Sequence, residues 1–233
     1  MKGTLFESAP EEVTRLVLVR HGRTQANAES RIGSLLDHPL DEKGWDQARR
    51  VAVRLAAYKP DAIYASPILR TLQTAETIAE KSGLKVQINE DLREYYLGKI
   101  ADMQIQDIEK TYPVIYGDIE RWLHVQPNHT MTRPDFPGAE SMPSFVERVL
   151  RFKDLVLERH PAQCVVAVTH LAIIKAIFTQ LTGGDMATQH SIFLADNTSI
   201  SVIDFQNGSP VIRLFNDIAH LDAPLRYGRL TLI

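Results

Sequence analysis

Two histidines in this chain stand where α/β proteins do chemistry. His21 lies between Arg20 and Gly22 in LVLVRHGRTQAN, and His170 ends VVAVTH and opens LAIIKAIF. Each follows a run of apolar residues that reads as a buried strand. In open α/β sheets, ligands bind beyond the carboxyl ends of the strands, so the two imidazoles hold equivalent positions. Arg70, in SPILRTLQTA, adds a cation early in a helix, where arginine opposes the macrodipole and so asks for an anion nearby. Arginine forks and helix N-terminal amides both suit phosphate oxygens. His21 is therefore expected in a phosphate pocket. A neutral imidazole there can attack phosphorus and divide one hard displacement into two easier ones. The leaving oxygen then needs a proton, and Glu94 in DLREYYLG can supply it and afterwards activate water.

The elements that must position these groups alternate. Thr14 to Val19 reads as a strand, and Glu42 to Tyr58 as a helix with Asp41 as N-cap and Trp45, Ala48, Ala52 and Leu55 on one face. DAIYAS (Asp61 to Ser66) is a strand, followed by a helix with Pro67 near its start and Gly83 at its stop. KVQIN is a third strand. A helix from about Ser144 carries Phe145, Val149, Phe152 and Val156 on one face, then come the strand CVVAVT and a helix over Leu171 to Leu181. SISVIDF and PVIRLF, joined by Gln206-Asn207-Gly208-Ser209, give a hairpin signal. This alternation predicts an α/β fold, a three-layer α/β/α sandwich around a mostly parallel sheet. The interval from about Ile100 to Glu140 breaks the rhythm with Pro113, Pro127, Pro134 and Pro137, and reads as a small inserted cap on a single domain spanning 1–233.

Composition narrows the function further. The 233 residues are 44% hydrophobic and 24% charged with a formal charge of -3, which suits one soluble domain and gives no global attraction to nucleic acid or anionic membrane. Partners are expected to be small. One cysteine, Cys164, excludes an intramolecular disulfide framework and fits a cytoplasmic location. The acidic N-terminus MKGTLFESAPEEVT has no long apolar core and reads as neither signal peptide nor membrane anchor. No paired His/Asp spacing or cysteine set suggests a metal site, and no cofactor motif is seen.

LVRHGRTQAN, DHPLDEKGWDQA, SPILRTLQTAETI, DLREYYLG, PGAES, VVAVTHLAIIKAI and NTSISVI occur in the order found in the histidine phosphatase superfamily, also called phosphoglycerate mutase-like. The chain resembles that family from Leu16 to about Ile203, and FNDIAHL resembles the end of its broad-specificity phosphatase branch. The resemblance implies a phosphoglycerate mutase-like fold with no metal or cofactor. It makes His21 the phosphorylated nucleophile, Glu94 the proton donor and His170 a third member of the catalytic set. Arg20, Arg70 and His170 would bind phosphate, with Asn27 as a polar neighbour.

Three departures from the pattern bear on substrate. Leu171 stands where glycine is usual, LGKIADM replaces Gly-x-Trp-Glu-Gly, and Arg23 replaces an acidic residue. Arg23 and Arg133, the latter in MTRPDFPG, are candidate substrate contacts, against a salt-bridge partner and a solvated loop arginine. A lone histidine is usually structural, and His38, His124, His129, His160 and His190 take that reading. Glu140 and Ser141 read as a helix start, and Cys164 as a small buried residue. The favoured function is a metal-independent phosphatase for small phosphate monoesters acting through a phosphohistidine. A phosphoglycerate mutase-type transfer and a non-catalytic phospholigand-binding module are the alternatives.

Overall fold

The computed structural model describes residues 12–33, 35–123, 136–186 and 193–222. β1 (Val13–Arg20) leads through Gly22 into a short helix, α1 (Gln25–Ala28). α2 (Glu42–Leu55) starts where the Asp41 carboxylate accepts from the Gly44 amide. The helical run to Tyr58 is α-helical only to Leu55; its last turn tightens to a 3-10 turn at Ala56–Tyr58, after which Lys59 takes φ 49°. β2 (Ala62–Ala65), α3 (Leu69–Ser82) and β3 (Val86–Ile88) follow. α3 begins after Pro67 because Ile68 keeps extended angles at the N-cap, and it ends at Gly83 with φ 69°, the left-handed C-terminal stop that glycine adopts without strain.

Two helices, α4 (Ile105–Thr111) and α5 (Pro113–Leu123), occupy the interval read as an insertion. α6 (Met142–Arg159) starts earlier than Ser144, because the Ser141 hydroxyl accepts from the Ser144 amide and Pro143 fits the first turn. β4 (Cys164–Thr169), α7 (Leu171–Leu181), β5 (Ile200–Gln206) and β6 (Ser209–Asp217) complete the order. None of the described helices is long and apolar enough to cross a membrane.

The sheet has six strands in the order β3-β2-β4-β1-β5-β6. β3, β2, β4 and β1 pair in parallel, whereas β5 runs antiparallel to β1 and β6 antiparallel to β5. The hairpin turn has φ 51° at Asn207 and 76° at Gly208, the pair of positive angles that Asn-Gly supplies. The strict alternation of side chains splits the core in two. Leu16, Leu18, Val165 and Ala167 pack with Phe145, Val149, Phe152 and Val156 of α6 and with α7. Val17, Val19, Val166 and Val168 pack with Val51, Ala52 and Leu55 of α2 and Ala75, Ile78 and Ala79 of α3. The buried face of α2 is centred on Ala48, Val51 and Leu55, and Trp45, expected on it, stands at its edge half-buried. Each fully buried aliphatic or aromatic side chain contributes about 1.5–3 kcal/mol, so both faces of the sheet are held by apolar burial. Helices on both faces make this the expected α/β architecture.

The topology delivers the two histidines to one place. β1 and β4 are parallel neighbours with Arg20 opposite Thr169, and the His21 amide donates to the Thr169 carbonyl at 2.9 Å. Beyond β1 the chain must also pass close to α2. A Cβ on Gly22 would stand 2.7 Å from the Gly44 carbonyl oxygen, and one on Gly44 would stand 2.0 Å from the Arg23 carbonyl oxygen. Backbone atoms lie on both sides, so no side-chain rotation relieves either clash. Gly44→Ala is expected to lower stability by about 1–3 kcal/mol, as overpacking does, and to cut turnover by displacing the loop that carries His21. The urea midpoint and the initial rate measure this; an unaltered midpoint would contradict the close approach.

Candidate active site

Burial, tautomer and charge at His21 all suit nucleophilic attack. The ring is 2% exposed, and its Nδ1 lies 2.8 Å from the Gly22 carbonyl oxygen. A carbonyl only accepts, so Nδ1 carries the proton and the lone pair of the neutral ring is on Nε2. Arg70 Nε donates toward that nitrogen at 3.3 Å. Burial, followed by the charges of Arg70 and Arg20, holds the His21 pKa well below the usual histidine value. The ring is thereby kept neutral.

Arg70 ties the cluster together from the first turn of α3. Its Nη1 donates to the Leu36 carbonyl at 3.0 Å and its Nη2 to His170 Nδ1 at 3.3 Å. Burial pushes its pKa down to about 10, which leaves it charged at neutral pH. Arg20 Nη1 donates to the Ala195 carbonyl at 2.6 Å, and its Nε is buried with no hydrogen-bond partner among the described residues. His170, fully buried at the N-cap of α7, donates from Nε2 to Ser66 Oγ at 2.9 Å. Its ring centroid is 5.2 Å from that of His21. Burial, then Arg70, His21 and Arg20, depresses its pKa as well. Two guanidinium groups and two imidazoles thus converge in a site withdrawn from water, an arrangement that suits a phosphate dianion.

Glu94 adds a buried carboxyl beside these groups. Its Oε2 lies 4.0 Å from His170 Nδ1 and its Oε1 accepts from the Tyr95 amide at 2.8 Å. Burial raises its pKa, and this outweighs the Tyr95 amide and the charges of Arg70, Arg20 and Arg148, which lower it. Asn27 is placed by a capping box at α1, where its Oδ1 accepts from the Thr24 amide at 3.1 Å. Asn27 lines the same cleft as Arg20, His21, Arg70 and Glu94.

Other expected residues fall elsewhere. The Arg23 guanidinium pairs with Asp41 at 2.8 Å, against the N-cap of α2, and is not brought to the cleft. Arg133, like His124, His129 and His190, lies outside the described residues. Glu140 is engaged by Arg148, its Oε1 2.7 Å from Nε, and is no free acid. Leu171 turns its side chain into the core, so its bulk stays out of the cleft. Burial pushes the Cys164 thiol up to about 12, which rules it out as a nucleophile. His160 is structural, bonded to Tyr64 and Gln163. Among the described residues no three metal-ligating side chains gather.

Several site residues lay inside the quoted motifs without an assigned role. Ser66 orients His170. Asn197 Nδ2 donates to the His21 carbonyl at 3.0 Å and to Asn27 Oδ1 at 3.3 Å. Thr198, at φ 59°, turns its amide toward the Arg20 and His21 carbonyls. Arg31, His38 and Asp102 line the mouth. His38, expected to be structural, bonds Asp102 at 2.6 Å there, a juxtaposition that no local pattern announces.

Known proteins are similar to this chain along most of its length. The sequence is 35% identical over 209 residues to phosphoserine phosphatase 1 of Hydrogenobacter thermophilus, covering 90% of this chain and 95% of the relative. It is 30% identical over 226 residues to phosphoglycerate mutase-like protein 4 of Arabidopsis thaliana, covering 95% and 93%. The native structure of a mycobacterial glucosyl-3-phosphoglycerate phosphatase superposes with a TM-score of 0.76 at 26% identity, covering 88% of this chain and 99% of that one. Residues 16–218, from the first buried strand to the turn after β6, match the histidine phosphatase superfamily, branch 1. An enzyme of the histidine phosphatase type is what this combination of fold, cleft and relatives describes, and the chain belongs to that superfamily.

Proposed function

We propose that the protein is a metal-independent phosphomonoesterase that hydrolyses small phosphorylated metabolites through a phosphohistidine at His21. The observation that carries this reading is the His21 ring itself, held neutral with its lone pair on Nε2 and facing Arg70. Arg20, Arg70 and His170 would hold the phosphoryl oxygens, with Asn27 beside them. In the first step His21 Nε2 forms a bond to phosphorus while the ester oxygen leaves with the proton of Glu94. In the second, Glu94 takes a proton from water, whose oxygen attacks phosphorus and releases His21. Bound dianion reverses the field at His170 and favours its imidazolium, which can then donate from Nδ1. Arginine and histidine here supply the cations that many phosphatases obtain from metal ions. The named activities of the relatives, on phosphoserine and on a sugar phosphoglycerate, support a small phosphorylated metabolite as substrate.

The decisive experiment is a panel of phosphorylated hydroxy acids and sugars in which phosphate release and product identity are both recorded. Hydrolysis is expected to continue at an unchanged rate in chelator; a rate lost in chelator and restored by a divalent ion would overturn the metal-free scheme. His21→Ala is expected to abolish both turnover and the acid-labile phosphoenzyme trapped by rapid quench, because nucleophile and intermediate are one residue. Label that still accumulates on the variant would place the nucleophile elsewhere.

Glu94 gives a separate expectation. A sugar or hydroxy-acid alkoxide leaves poorly without a proton, whereas nitrophenolate leaves unassisted. In single-turnover phosphorylation, Glu94→Gln should slow alkyl esters by about 10²–10⁴, the usual worth of general acid catalysis, and p-nitrophenyl phosphate far less. Burial raises the Glu94 pKa, so the protonated donor persists to higher pH than an ordinary carboxyl. The alkyl-ester rate should fall as pH rises through that pKa, and this limb should be missing from the variant. Equal losses for both leaving groups would reject Glu94 as the acid.

A further inference from the structure

Glu94 sits on an irregular stretch after a 3-10 turn at Glu90–Leu92, with no strand or helix to fix it. What fixes it instead is an arginine from α6. Arg148 stands in the otherwise apolar stripe Phe145, Val149, Phe152 and is 5% exposed. Its Nε and Nη2 take the two carboxylate oxygens of Glu140 at 2.7 and 2.8 Å. Nη1 donates to the carbonyls of Asp91 and Arg93 at 2.7 and 2.8 Å, and Nη2 donates to the carbonyl of Glu94 itself at 3.2 Å. A guanidinium has five N–H donors, and these contacts occupy all of them. The planar head also lies over the Phe145 ring, 4.9 Å from its centre. On the opposite side Thr169, adjacent to His170, donates to the Leu92 carbonyl at 2.9 Å. The Tyr95 hydroxyl bonds the Glu140 carbonyl, and the Glu140 amide donates to the Tyr96 carbonyl at 3.0 Å.

We infer that Arg148 and Glu140 form a buried clamp that positions the proton donor, making both of them positioning residues for the leaving-group step. This rests on the reading of Glu94 as the general acid. Carbonyls 91, 93 and 94 point at a single charged head, so the backbone of Glu94 cannot shift without breaking charge-assisted hydrogen bonds inside the protein. Glu140 has a second effect: it neutralises the clamp. Without its carboxylate, Arg148 would stand as a bare buried cation beside Glu94 and favour the ionised, non-donating form. A lysine at 148 would keep the charge but offer only three donors and no plane.

The test uses the full chain, comparing wild type, Arg148→Lys, Arg148→Met and Glu140→Gln in single-turnover phosphorylation with an alkyl phosphate and with p-nitrophenyl phosphate. Thermal unfolding is followed in parallel. Arg148→Lys and Arg148→Met should lose at least about tenfold on the alkyl ester, a fraction of the full general-acid factor, and at most about twofold on the nitrophenyl ester. The alkyl-ester loss should disappear in a Glu94→Gln background, because a clamp has no effect once its acid is gone. Equal losses on both esters, or losses that add to those of Glu94→Gln, would reduce Arg148 to a structural role and overturn the proposal. If the Arg148 variants do not fold, Glu140→Gln retains the guanidinium and its carbonyl contacts. Its alkyl-ester rate should begin to fall at lower pH than in wild type, since the bare cation lowers the Glu94 pKa; an unmoved limb would overturn the clamp. Wild type inert toward both esters would defeat the phosphatase reading, and the clamp's role with it. A wild type that hydrolyses both but shows no leaving-group contrast among the variants would defeat the clamp alone.

Discussion

Buried positive charge is the constraint around which the carboxyl edge of the sheet is arranged. Taking a guanidinium out of water costs several kcal/mol, and here Arg20 and Arg70 are withdrawn together, beside two imidazoles kept neutral by the same burial. Carbonyl oxygens of Ala195 and Leu36 and the nearby carboxyl of Glu94 offset part of that cost. In the proposed reaction a phosphate dianion would offset more, because the field that disfavours a proton on His21 would also attract such a substrate. Under that proposal, affinity for phosphate and nucleophilicity at Nε2 would have one source.

Such a cluster needs a scaffold that does not relax. Parallel pairing of β1 with β4 fixes the two histidines side by side, and the left-handed Thr198 at the entry to β5 satisfies the carbonyls of Arg20 and His21. The turn after β1 is pressed against α2 at Gly22 and Gly44 with no room for a methyl group. Asp204 lies under the same strand, paired with Arg15 across the β1–β5 register and with Arg213 of β6. β4 and α2 thus hold β1 and the turn after it from two directions, and the Arg15–Asp204 pair and Thr198 join it to the antiparallel hairpin, so that His21 is held on several sides.

Periodicity and capping made most of this fold legible, since alternation in the strands and the 3.6-residue stripe in α6 are dictated locally. The convergence of His21, His170 and Arg70 was legible for a related reason: the histidines end strands and Arg70 opens a helix, so their positions follow from where elements stop. What could not be read was pairing between distant loops. His38 meets Asp102, Asn197 meets Asn27, and Arg23 turns to Asp41 instead of to the cleft. None of these follows from spacing, because loop closure depends on the packed whole. Arg148 did leave a trace: a charged residue on a helical face otherwise given to Phe145, Val149 and Phe152 is costly unless fully paired.

This division between strand ends and loops has a consequence for specificity. Among the site residues, Arg20, His21 and His170 are fixed at strand ends, whereas others stand on irregular segments: Glu94 after a 3-10 turn, Asp102 at φ 64°, and Arg31 and His38 between α1 and α2. A loop can change length or sequence without disturbing the core beneath it. The sheet cannot, because a one-residue slip would move every side chain of β1 to the opposite face. Under the proposed function, a chain built this way could keep one phosphoryl-transfer site while altering the alcohol it accepts. Glu94, as the proposed proton donor, is the exception, since in that role it would have to serve every alcohol and yet sits on a loop. The anchoring of its backbone from α6 answers that need, because Arg148 brings five hydrogen-bond donors from a rigid helix to that loop.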